Sequence, residues 1–219
     1  MNKKIIEKLI RIKHQDVLLE GMLKIPHSSQ GIVLFAHGSG SSRLSPRNNY
    51  VADVLNNAGL ATLLIDLLSE KEDETYQKRF DIDLLTDRLL VVIQWLEKQP
   101  HTQNLILGIF GSSTGAAAAL QAASEKGNEI QAVVSRGGRP DLAMNTLDRV
   151  TSPTLFIVGE NDFGVIELNQ EAFARLTCQK KFEIISNATH LFEEPGCLEE
   201  VARLATEWFS RYLNLNDRK

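Results

Sequence analysis

From residue 32 onward the chain alternates between short apolar runs and longer segments with apolar residues at helical spacing. Residues 32–36, 60–66, 104–110, 130–135, 154–158 and 181–185 read as strands. Apolar runs without polar alternation mark strands buried on both faces. Between and after them, residues 82–96 carry Leu85, Leu89, Val92, Ile93 and Leu96 on one helical face. Segments 113–123, 165–176 and 197–213 also read as helices, and 141–150 as a short helix or turn. Another helix starts at Ser45-Pro46, with serine as N-cap and proline at the first helical position. It presents Tyr50, Val51, Val54 and Leu55 on one face and ends at Gly59. Residues 10–14 and 17–25 read as a strand pair turning near Gln15 and Asp16. The whole is expected to be an α/β protein with a mostly parallel eight-stranded sheet and helices on both faces, its first two strands forming an antiparallel edge. The charged stretch 69–79 reads as a solvated loop, with a flap over the site as the alternative.

The 219 residues fit one domain spanning 1–219, with no visible repeat or linker and no insertion long enough for a lid domain. A net charge of -4 gives no electrostatic case for binding nucleic acid. The longest apolar runs fall short of the ~20 residues that cross a bilayer. The N-terminal lysines precede no long apolar core, so a secretory signal is not expected and a cytoplasmic protein is. Cys178 and Cys197 supply neither a disulfide framework nor paired metal-ligand spacing, and no metal or other cofactor is expected.

In open sheets of this kind the loops at the carboxyl ends of the strands carry the chemistry. The loop after 104–110 reads Gly111-Ser-Ser-Thr-Gly115 and leads into an alanine-rich helix. Strand, Gly-x-Ser-x-Gly, helix is the context of a nucleophile elbow, with Ser113 exposed on a sharp turn; a glycine-rich turn without chemistry is the alternative. Serine needs an adjacent base to take its proton, and the base needs an acid to hold its tautomer. The expected chain order is serine, acid, histidine. His14, His27, His37 and His101 precede Ser113, and only His190 follows it. The acid is expected after strand 154–158, where Gly159-Glu-Asn-Asp offers Asp162 and, as second candidate, Glu160. Two backbone N–H groups should stabilise the developing oxyanion. Thr114, directly after the nucleophile, is one; Ser39 in His37-Gly-Ser-Gly is the other, with Gly40 next. His37 is expected to orient that loop rather than act as a base.

These four segments, His37-Gly-Ser-Gly, Gly111-Ser-Ser-Thr-Gly, Gly159-Glu-Asn-Asp and the loop around His190, together resemble the α/β-hydrolase superfamily. The chain is most similar to its compact, lidless dienelactone-hydrolase-like branch, from about Gly21 to the last helix. The resemblance implies the α/β-hydrolase fold, Ser113 as nucleophile, Asp162 as acid, His190 as base, and Ser39 with Thr114 as oxyanion donors. Dienelactone hydrolases proper use a cysteine where this chain has Ser113, so ester hydrolysis rather than lactone opening is the expected reaction. A small-molecule ester is the expected partner, and a homodimer is compatible with the sequence. A binding or scaffold protein on the same fold, or an acyltransferase or peptidase with the same triad, are the alternatives. Arg43 and Arg47 follow the oxyanion loop, while Arg136 and Arg139 follow strand 130–135. Arg43 or Arg136, with Gly40 nearby, is a candidate for binding an anionic group of the substrate. Structural ion pairs are the alternative for each arginine.

Overall fold

The computed structural model describes residues 5–214. Eight strands form one sheet: β1 (Ile6–His14), β2 (Val17–Ile25), β3 (Gly31–Ala36), β4 (Ala61–Ile65), β5 (Ile106–Ser112), β6 (Ile130–Arg136), β7 (Thr154–Gly159) and β8 (Lys180–Ile185). Their order is β1-β2-β4-β3-β5-β6-β7-β8. The pairings β1/β2 and β2/β4 are antiparallel, and every pairing from β4 to β8 is parallel. This is the α/β-hydrolase arrangement expected from the sequence, with no lid domain among the described residues. The first strand begins at Ile6, earlier than expected, because it pairs with the whole length of β2, Ile6 lying opposite Ile25; residues 6–9 lack the burial alternation that Ile10 and Ile12 show.

Alternation along the strands divides the interior. On β3, Ile32, Leu34 and Ala36 face one side of the sheet, and Val33 and Phe35 face the other. Against the first side pack α4 (Ile82–Leu96), α5 (Thr114–Lys126) and α6 (Phe163–Arg175). Against the second pack α1 (Pro46–Asn57) and α7 (Cys197–Tyr212). The alanines of α5 from Ala116 to Ala119 are fully buried, so this helix has almost no solvent face and lies tight on the sheet. Alanine suits that place: it has the best helix propensity and the smallest side chain that still fills space.

Two local expectations are corrected. Tyr50 was expected on the buried face of α1, but it is exposed, while Val51 and Leu55 face inward. The span 69–79 is not a plain solvated loop. It forms two short helical turns, α2 (Glu70–Asp73) and α3 (Tyr76–Arg79), with a capping box between Ser69 and Glu72. Glu72 also pairs with Arg88 of α4 at 3.0 Å, anchoring the turns to the body of the protein. The segment Pro140–Arg149 is a 3-10 helix with a kink at Ala143, one residue ahead of the short helix or turn expected at 141–150.

This topology places a crevice. From β3 the chain goes first to β4 on one side, then crosses back to β5 on the other. The loops leaving the carboxyl ends of β3 and β5 therefore part in opposite directions, and ligands bind at such a switch point. Those loops carry Gly38-Ser-Gly and Ser113.

Candidate active site

Ser113 has φ 49° and ψ -122°, between the end of β5 and the first residue of α5. Positive φ is costly for a side-chain-bearing residue, and such strain persists only where the surroundings impose it. Here the imposition is visible. The Ser113 N–H donates to the Arg136 carbonyl at 3.3 Å, and its own carbonyl accepts from Ala116 at 3.0 Å and Arg139 at 3.0 Å. The two serines of the motif differ in role: Ser112 is buried and its hydroxyl donates to Asn48 Oδ1 at 3.3 Å.

The β3 loop comes within contact of this turn because Gly38 lacks a side chain. A Cβ on Gly38 would sit 2.8 Å from the Cβ of Ser113. His37 fixes the loop from beneath. Its Nε2 accepts from the Leu67 N–H at 3.2 Å, so its Nδ1 carries the proton and donates to the Gly38 carbonyl at 3.0 Å. The imidazole is thereby committed to the backbone, as expected of an orienting residue. The Ser39 N–H makes no hydrogen bond among the described residues. Thr114 opens α5, where helix N–H groups lack intrahelical partners. Both amides are thus without a backbone hydrogen-bond partner among the described residues.

His190 lies in the loop after β8, and its Nδ1 is 2.6 Å from Asp162 Oδ2. The other carboxylate of the Gly159 loop is used differently: Glu160 Oε2 accepts from the Asn187 N–H at 2.8 Å, bracing the base of the histidine loop. That loop is further held by Thr189 donating to Glu194 at 2.6 Å and by Arg47 of α1 pairing with Glu193 at 2.5 Å. Phe192, fully buried with φ 57°, pins it from below. Among the described residues no hydrogen bond joins Ser113 Oγ to His190. Both side chains nevertheless line one cleft of about 390 Å³, together with Ser39, Gly40, Arg47, Ser112, Arg136 and Leu191.

Of the arginines, Arg43 is drawn away. Its guanidinium pairs with Asp66 and, at 2.8 Å, with Glu20, and it lines a neighbouring cleft of about 630 Å³ that contains neither Ser113 nor His190. Arg139 is paired with Asp141 at 2.8 Å. Arg136 remains at the site, bonded to Ser112 Oγ at 3.1 Å and to Asn48 Oδ1 at 3.2 Å. Asn48 was not anticipated from the sequence; nothing in an α1 turn of polar residues marks the one that faces inward. Among the described residues no group of three or more His, Cys, Asp or Glu side chains is placed to hold a metal ion. Burial raises the thiol of Cys178, and neither cysteine lines the cleft.

Residues 19–215 match the model of the dienelactone hydrolase family. The chain belongs to this family. It is 55% identical to a dienelactone hydrolase from Anabaena variabilis of known structure, with a TM-score of 0.93 over 96% of this chain and 99% of that one. At 16% identity, Est1E from Butyrivibrio proteoclasticus shares the fold, with a TM-score of 0.80 over 93% of this chain and 98% of its own. A Mycobacterium tuberculosis protein named "Putative phosphoribosyl transferase" is 54% identical over 197 residues, which is 90% of this chain and 44% of that protein. The chain thus spans less than half the length of these curated relatives. The family to which the chain belongs is one of hydrolases. Among the described residues no helix is long and apolar enough to cross a membrane.

Proposed function

We propose that the protein is a serine hydrolase of carboxylic esters acting through an acyl-Ser113 intermediate. The observation that carries this reading is the His190–Asp162 pair at 2.6 Å, opening on the same cleft as a serine held at positive φ on a strand-to-helix turn. In the proposed sequence the Ser113 hydroxyl attacks the ester carbonyl carbon while His190 Nε2 takes its proton. Asp162 holds Nδ1–H, which leaves Nε2 as the acceptor. The carbonyl oxygen gains the charge and lies against the Ser39 and Thr114 N–H groups. Collapse expels the alcohol, which leaves with the proton from His190. Water, deprotonated by the same nitrogen, then attacks the acyl-enzyme and frees Ser113.

The transferase in the name of the Mycobacterium tuberculosis relatives is read as belonging to the larger part of those proteins outside the match, because the matched segment is the one the hydrolase family describes. A fluorophosphonate probe tests the enzyme reading. Covalent labelling of the wild type that disappears in Ser113→Ala is expected, together with hydrolysis of short 4-nitrophenyl esters. A folded wild type that neither labels nor turns over these esters would overturn it.

A further inference from the structure

Arg136 differs from the other arginines of the interior. Arg88 is paired with Glu72, Arg43 with Asp66 and Glu20, and Arg139 with Asp141. Arg136 is 7% exposed, yet among the described residues no carboxylate pairs with it. Its two hydrogen bonds both leave from Nη2 and go to neutral oxygens, those of Ser112 and Asn48. Its buried Nε has no hydrogen-bond partner among the described residues, a feature it shares with Arg43, Arg47 and Arg88, so what sets Arg136 apart is the lack of a carboxylate. A guanidinium has five N–H donors, and leaving a buried cation without a counter-charge is strongly unfavourable. The side chain also lies 5.7 Å from the centroid of the Phe192 ring, which shields one side of it from water.

The surroundings sharpen the point. Arg136 sits beside Ser112 in the β5/β6 register, one residue from the nucleophile. Its side chain lines the cleft that holds Ser113 and His190. No Asp or Glu lines that cleft; its polar wall is made of serines, His190, Arg47 and Arg136. Arg47 has Glu193 as its partner, so the uncompensated charge is that of Arg136. Burial, and then the nearby Arg47, push the Arg136 guanidinium down to about 10, which still leaves it charged at neutral pH.

We propose that Arg136 is the anion-recognition residue of this cleft, so that the substrate is an ester carrying an oxyanion group, carboxylate or phosphate, seated on Arg136 while the ester carbonyl lies at Ser113. This rests on the serine-hydrolase reading for the second half of the statement only; the anion site itself stands on the unpaired cation. The anion would supply the missing counter-charge and accept from the guanidinium N–H groups that the protein leaves unused.

Two measurements test it. The first compares kcat/KM for 4-nitrophenyl hydrogen glutarate, which carries a carboxylate, with that for neutral 4-nitrophenyl butyrate. The wild type is expected to prefer the half-ester, and Arg136→Met to lose at least about tenfold more on the half-ester than on the neutral ester. Arg136→Lys should restore part of that preference. Equal loss on both esters, or no preference in the wild type, would overturn the proposal. The second measures thermal melting of Ser113→Ala with inorganic phosphate or glutarate, with and without Arg136→Met. A rise in Tm with one anion that vanishes in the double variant is expected, and the anion that produces it identifies the source of the oxyanion. No rise with either anion would overturn the site. Because this second measurement needs no turnover, an anion site without catalysis is distinguishable from catalysis without an anion site. Circular dichroism of each variant ensures that the comparison is between folded proteins.

Discussion

The carboxylate of Asp162 lies 2.6 Å from Nδ1 of His190, whereas Glu160, two residues earlier, accepts instead from the backbone N–H of Asn187. The two carboxylates share a loop and diverge in task. Asp162→Asn is expected to lower kcat on 4-nitrophenyl esters by about a thousandfold or more, with a much smaller change in KM, because the amide cannot hold the imidazole as the carboxylate does. Glu160→Gln keeps an acceptor for Asn187 and is expected to stay within about threefold of wild-type kcat. Steady-state kinetics of both variants checks the pair. A larger loss in Glu160→Gln than in Asp162→Asn would reverse the assignment.

The backbone of Ser113 makes a second prediction. At φ 49° and ψ -122° the residue occupies a region that costs a side-chain-bearing residue about 1 to 3 kcal/mol. Glycine relieves that cost and adds back about 0.4 to 1 kcal/mol through greater freedom of the unfolded chain. Ser113→Gly is therefore expected to be more stable than Ser113→Ala by about 1 kcal/mol, measured as a higher urea midpoint at equal m-value. A less stable glycine variant would mean that the elbow is not strained.

Much of this was legible in the sequence, and for identifiable reasons. The sheet could be read because strands buried on both faces leave unbroken apolar runs, as at Ile32 to Ala36. The pairing of His190 with Asp162 could be read because chain order left one histidine after Ser113 and a glycine turn before the carboxylate. What escaped depends on partners far away in the chain. The helical turns at Glu70–Asp73 and Tyr76–Arg79 are held by Glu72 meeting Arg88, a contact with no local periodicity. Arg43 and Arg136 look alike as arginines following strands. Only the fold gives Asp66 and Glu20 to Arg43 and leaves Arg136 covered by Asn48 without a counter-charge.

Gly115 sets helix propensity against packing. It lies inside α5, where alanine would ordinarily be favoured by about 1 kcal/mol. Yet a Cβ there would collide with the carbonyl oxygen of Ala36 and lie 2.5 Å from that of His37. Both obstacles are backbone atoms at the end of β3 and cannot rotate away. Gly115→Ala is expected to be destabilised by about 1 to 3 kcal/mol in chemical denaturation, the usual range for overpacking. Because the displaced strand end leads into the Ser39 loop, fluorophosphonate labelling should slow as well. A variant as stable as the wild type, or more so, would show that propensity outweighs the contact.

The ion pair of Glu72 with Arg88 predicts how stability responds to acid. Burial alone would raise the Glu72 carboxyl, but hydrogen bonds from the Ser69 N–H and from Arg88 outweigh it and hold the group at about 2, against 4.5 for an ordinary glutamate. A carboxyl whose folded value is depressed contributes stability above its unfolded value and loses it as pH falls through the folded one. The contribution should therefore be complete above about pH 4.5 and fade between there and about 2. Glutamine at this position cannot ionise and leaves the guanidinium of Arg88, only 4% exposed, without its counter-charge. Glu72→Gln is expected to be less stable than the wild type by about 1 to 3 kcal/mol at pH 7, the cost of stranding a buried donor. The gap should narrow as pH drops below 4.5, because the unfolded chain then takes up a proton that the folded carboxyl does not, and it should close near pH 2, where protonated Glu72 and glutamine are nearly equivalent. Urea midpoints of the two proteins at pH 7, 5, 4 and 3 would trace this convergence; a gap constant across that range would mean that Glu72 is not ionised in the folded protein, or is not what anchors α2 to α4.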